Sequence, residues 1–230
     1  MQNLLSISDK LDAIGRTMGR WCGWIIMPLI FVIMFDVITR KIDVTRLYFS
    51  DFTVEYGYSI STILQDLQWH FHALLLMFSF AIGYLANAHV RVDIFREMAG
   101  RRKQAWIELI GLIVLALPFL TLMIMFSWNM VALSFSQGEG SDSMTGIGMR
   151  YIPKSFMVLG FTTVMFAVLA TIARLIAYLF GNEEHQAHAL DKMEIFSDQS
   201  TALEEARLEA ERILEAERQE AEAARAATSQ

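Results

Sequence analysis

Long apolar blocks without a charged side chain constrain this chain more than any other feature. Residues 67–88 are 22 consecutive positions with no Asp, Glu, Lys or Arg. A helix of that length covers the roughly 30 Å apolar core of a bilayer. In lipid the backbone has no water to bond, so a helix is the natural form for such a block. Three further blocks fit the same reading, at about 19–38, 109–135 and 155–180. The expectation is an all-α membrane protein with four transmembrane helices. The first span has a charge-free core at 21–35, which sets Asp36 near an interface, four residues before Arg40 and within pairing reach on one helix face. The third is the longest and should tilt or kink at Pro118. In the fourth, Arg174 lies near the end and is expected to snorkel to the head groups.

Charge is segregated along the chain. Residues 1–181 carry a net +2 and residues 182–230 a net −8. No basic surface suited to nucleic acid is present. The single cysteine, Cys22, excludes an intrachain disulfide and reads as small-residue packing. Lys10, Arg16 and Arg20 precede the first block without a small-residue cleavage site after it, the pattern of an uncleaved signal anchor.

Orientation follows from the short basic loops. The N-terminal segment and the loop after the second span, with Arg91, Arg96, Arg101, Arg102 and Lys103, hold most of the Lys and Arg, whereas the loop after the third span has only Arg150. Both termini are therefore expected in the cytoplasm, with 41–66 and 136–152 outside. The domain reading is a cytoplasmic segment 1–18, a four-span membrane domain 19–180 and an acidic, largely helical tail 181–230. An interfacial helix is expected from Asp51 to Gln65, and a mobile Gly- and Ser-rich loop at 136–149. Residues 201–226 are mostly Ala, Glu, Arg and Leu, with i,i+3 Glu/Arg pairs that favour a charged cytoplasmic helix.

Few side chains could carry chemistry. His70 and His72 are two apart on one helix and point about 200° apart, unsuited to ligating one haem. Gln68, Trp69 and His70 stand where the second span meets the outer boundary, and Trp favours that depth. His89-Val90-Arg91-Val92-Asp93 follows the span on the other side. Taken alone, these residues fit a membrane anchor and an ordinary basic loop. No nucleophile–base set, phosphate loop or metal-ligand cluster is found in the sequence.

The two runs together, Gln68-Trp69-His70 and His89-Val90-Arg91-Val92-Asp93, at this separation around one span, resemble the DctQ-type small permease of tripartite ATP-independent periplasmic (TRAP) transporters. The resemblance covers about residues 15–180. It implies a small integral subunit of the bacterial inner membrane, with no catalytic site or cofactor of its own. It would brace a large membrane subunit that holds the substrate and Na⁺ sites, and help receive a periplasmic substrate-binding protein for uptake of an organic acid. Gln68, Trp69, His70, His89, Arg91 and Asp93 would then be partner-interface or structural residues. The long outer segment 41–66 and the acidic tail depart from that pattern. The rival reading is the membrane anchor of a redox enzyme, of b-type cytochrome kind. Repeated halves and broken helices around a midplane site, usual in a solo transporter, are absent from the sequence.

Overall fold

A computed structural model describes residues 2–88, 100–141 and 143–193. The described residues are helical, with no strand among them. The expected helix at 201–226, and residues 89–99 with their His-Val-Arg-Val-Asp run, lie outside them.

Helix α1 (Gln2–Gly23) and α2 (Ile26–Lys41) form one nearly continuous rod. The seam at Trp24–Ile25 uses tighter bonds, Trp24 N–H to Trp21 O at 3.1 Å and Ile25 N–H to Cys22 O at 2.9 Å. Pro28 accounts for it. Proline cannot donate to the Trp24 carbonyl and its ring crowds that oxygen, so the turn tightens there. The expected first span began at Gly19, but the helix reaches back to Gln2. Leu5, Ser8, Gly15, Gly19 and Cys22 are buried on one side of α1, at spacings of three, four and seven.

Helix α3 (Asp43–Tyr56) buries no residue. The expected continuous helix at 51–65 is split. Gly57 takes the left-handed conformation at φ +76° and closes α3 by donating to Thr53 O at 3.0 Å. Ser59 then caps α4 (Ile60–Leu85), accepting from the Thr62 N–H at 3.4 Å. Helix α5 (Arg101–Gly111) runs through a widened π turn, Leu112–Ala116, into α6 (Leu117–Ser136). The distortion expected at Pro118 takes this form. Pro118 cannot bond the Val114 carbonyl, and the preceding turn opens, with Leu117 N–H reaching Leu112 O. Helix α7 (Tyr151–Phe180) tolerates Pro153 because a first helical turn needs no donor there. Helix α8 (Glu183–Asp191) follows.

Among the described residues, three helical stretches are long and apolar enough to cross a membrane: Gln2–Lys41, Arg101–Ser136 and Tyr151–Phe180. Helix α4 has comparable length, but its first half carries Gln65, Asp66, Gln68, His70 and His72. The α1–α2 rod, α4 and α7 pack against one another, and the α5–α6 rod joins them mainly through α7. Helix α2 packs on α4, α4 on α7 and α7 on α6, while α1 lies against both α4 and α7. The central rod α7 thus has 44% of its most apolar stretch buried, and the peripheral α5–α6 rod only 17%.

Glycines allow the closest approaches. A Cβ added to Gly160 of α7 would lie 2.7 Å from Met77 Cβ and 3.0 Å from its carbonyl oxygen on α4. Gly160→Leu should therefore push α4 and α7 apart and destabilise the chain by about 1–3 kcal/mol. The check is the thermal unfolding midpoint in detergent, with Gly111→Ala, where a Cβ meets nothing within 4 Å, as the control that loses no stability.

Candidate functional site

Among the described residues two polar clusters interrupt the apolar packing, one where α2 meets α4 and one where α1 meets α7. The first centres on Asp36 of α2, whose residue is only 5% exposed. A buried carboxylate is costly unless it is paired and hydrogen-bonded. Arg40, one turn on, supplies two donors: Nε to Oδ1 and Nη2 to Oδ2, both at 2.9 Å. That two-pronged geometry is the strongest guanidinium–carboxylate arrangement. Helix α4 completes the shell. Gln68 Nε2 donates to Oδ2 at 3.2 Å and Ser61 Oγ to Oδ1 at 3.3 Å. With its amide oxygen turned inward, Gln65 accepts from Arg40 Nη1 at 2.9 Å.

This cluster assigns a place to Gln68, which ties α4 to the buried carboxylate of α2. Trp69 faces outward and is 75% exposed, as a boundary residue would be. His70 is half-buried and His72 exposed. The structure therefore gathers Gln68 with Asp36 and Arg40 and leaves Trp69 apart from them. His89, Arg91 and Asp93 lie outside the described residues.

The segment expected as a mobile loop, 136–149, is clipped to the start of α4. Asp66 Oδ2 accepts the Ile147 N–H at 2.8 Å, and Ser59 N–H donates to Thr145 O at 3.0 Å. The base of the loop is closed by Arg150 N–H to Glu139 O at 3.1 Å and by the ion pair of Glu139 with Lys154. The Lys154 hydrogen bond holds the Glu139 carboxyl below its ordinary value. Composition made this a loop, but not a free one.

The second cluster centres on Arg174 of α7, 3% exposed. It does not snorkel. Its Nη2 donates to Asp9 Oδ1 at 3.3 Å, and Nη1 to Asp12 Oδ1 at 3.4 Å and to the Lys192 carbonyl at 3.2 Å. The Lys192 ammonium returns to Asp9 Oδ2 at 2.8 Å, and Arg16 pairs with Asp12 at 3.0 Å. One turn away, Ser8 Oγ donates to Ala170 O at 3.0 Å. A single guanidinium thus joins α1, α7 and the residues just after α8. Two carboxylates of α1, placed beside Arg174 by folding, replace the lipid head groups as its partners. The pairing was invisible to sequence reasoning, because Asp9 and Asp12 meet Arg174 only through folding.

The start of the tail belongs to the core. Ala189 and Met193 are buried in one cluster with Leu5, Val168 and Leu175. A chain ending after Asn182 should be less stable than one ending after Met193 by at least about 2 kcal/mol, since it loses a buried methionine as well as the Lys192 contacts. Unfolding midpoints of the two truncated chains, measured side by side, check this.

Chemically, both clusters fasten helices. Each carries a buried charge fixed by opposite charge and hydrogen bonds, and among the described residues no group of three or more His, Cys, Asp and Glu is placed to hold a metal ion.

A family model, described as Tripartite ATP-independent periplasmic transporters, DctQ component, matches residues 29–177. The match takes in the whole Asp36 cluster and Arg174, and stops short of Asp9 and Asp12. No curated protein and no solved structure gives a significant match.

Proposed function

The chain belongs to the DctQ component family of the tripartite ATP-independent periplasmic transporters, as a small membrane subunit, and from this premise we propose that it braces the large membrane subunit and helps seat the periplasmic substrate-binding protein during gradient-driven uptake of an organic acid. The observation that carries the bracing role is the apolar surface left open on the outer helices. The α5–α6 rod packs on α7, and α2 packs on α4, each leaving an apolar face open. Met27, Ile30, Phe31 and Met34 of α2, and Phe119, Leu122, Met125 and Phe126 of α6, remain exposed. Lipid and a larger membrane partner are the surroundings that suit such faces. Na⁺, on this reading, is bound by the large subunit.

We read α4 as a fourth span. The α1–α2 rod is matched along its length by α4: Gly15 against Leu85, Cys22 Sγ to Leu74 O at 3.3 Å, and Asp36 to Gln68 and Ser61. A rod able to cross a membrane thus runs antiparallel to α4 over all of it. Two crossings before the basic loop and two after it return both termini to the same side, and the positive loops favour the cytoplasmic side of the inner membrane. Arg91 and Asp93 come soon after α4 in the sequence. Replacing either with alanine should reduce the yield of the assembled complex more than it weakens substrate affinity, read as complex recovered in detergent against the uptake constant. No observation favours the redox-anchor alternative.

The test is affinity purification of the tagged full chain from its native membrane, paired with uptake after deletion of its gene. Co-purification of a large multi-span protein and loss of uptake are the expected results. Uptake that survives the deletion would overturn the reading.

A further inference from the structure

Between α3, the end of α2 and the start of α4 lies an open cleft of about 330 Å³. Arg40, Arg46, Phe49, Ser50, Ser59 and Ser61 are among its lining residues. We propose that this cleft binds the phosphate of a phospholipid headgroup, with the acyl chains lying along the exposed face of α2. The inference rests on the four-span reading only in placing the cleft at the membrane boundary.

The donors suit a phosphate oxyanion. Arg46 pairs with Asp43 at 3.0 Å, but these side chains are 66% and 81% exposed. Such a surface pair holds weakly, so an incoming phosphate displaces it at little cost. Ser59 Oγ accepts from Thr62 N–H and keeps its own proton to donate. Ser59 and Ser61 flank the N-terminus of α4, a 26-residue helix with no acidic residue in its first turn. The first N–H groups of a helix have no partner within it, and the end carries partial positive charge. Arg40 is held in place by Asp36 yet remains 44% exposed on its side chain.

A headgroup needs acyl room as well as donors, and that second requirement favours lipid over a soluble acid. Val44, Leu47 and Val54 of α3 are exposed, and α3 buries none of its residues. In the last turns of α2 before Arg40, Met34, Val37 and Ile38 are exposed too. An interfacial helix beside an apolar rod gives one molecule a charged seat and an apolar track.

Native mass spectrometry of the full chain, purified without its partner, tests this. The probes are phosphatidylglycerol added in mixed micelles, and inorganic phosphate alone. Retained lipid is expected on the unaltered chain. Its affinity should fall about tenfold in Arg46→Gln, the equivalent of one charge-assisted hydrogen bond, and stay unchanged in Asp51→Asn. Inorganic phosphate should fail to compete at matched concentration. Equal lipid affinity in Arg46→Gln would overturn the proposal. So would full competition by phosphate, which marks a free-anion site, or weakened seating of the binding protein in that variant with lipid affinity intact, which marks a protein contact. Helical content by circular dichroism shows that the variant folds. Failure of the large subunit to co-purify with the unaltered chain from its native membrane, while that chain alone still retains lipid, would count against the bracing role alone.

Discussion

Asp9→Asn combined with Asp12→Asn is expected to destabilise the chain by about 3–5 kcal/mol, the range for leaving a buried charge without its partner. Arg174 would keep the Lys192 carbonyl and lose both carboxylates, in a place where it is 3% exposed. The Asp9–Lys192 pair would go as well. Adding Arg174→Met to the double variant should restore part of the loss, because an apolar chain of similar length replaces the orphaned guanidinium. Unfolding midpoints of the unaltered chain, the double and the triple variant give the ranking. A triple variant less stable than the double would show that the charge is not what the carboxylates serve.

Asp36→Ala comes next, at about 2–3 kcal/mol. Three residues donate to this carboxylate, and removing it strands the Gln68 amide and frees Arg40. The cost stays below that of a fully buried pair because the Arg40 side chain is 44% exposed and can turn to water. Asp36→Asn keeps the shape and part of the bonding, and should lose about half as much. Because the cluster fastens α2 to α4, the alanine variant should also recover less of the large subunit on co-purification. An unaltered midpoint in Asp36→Ala would remove the cluster from the account of stability.

The sequence spoke clearly where physics is local. The pairing of Asp36 with Arg40 was readable because four residues bring two side chains to one helix face. The apolar blocks announced the rods, since chain length and charge are counted along the sequence. Gln68 as a donor to Asp36 was not readable, because the two are 32 positions apart and meet only when α4 packs on α2. The distance from Arg174 to Asp9 is 165 positions, and an arginine near a span end looks the same whether it meets lipid or carboxylate. Helix α1 escaped notice for another reason. Its buried stripe includes Ser8, Gly15 and Gly19, which a hydrophobicity count reads as gaps, although small residues are what close helix packing needs. The break between α3 and α4 did have a local signal, Gly57 followed by Ser59 as a cap. The run of aromatics around it drew the helix across.

The central claim is that this subunit holds a transporter together and moves no solute by itself. Reconstituting the purified chain alone in liposomes, with a Na⁺ gradient and a labelled organic acid outside, tests that most directly. Uptake equal to that of protein-free vesicles is the predicted result. Gradient-driven accumulation by this chain without its partners would contradict the account.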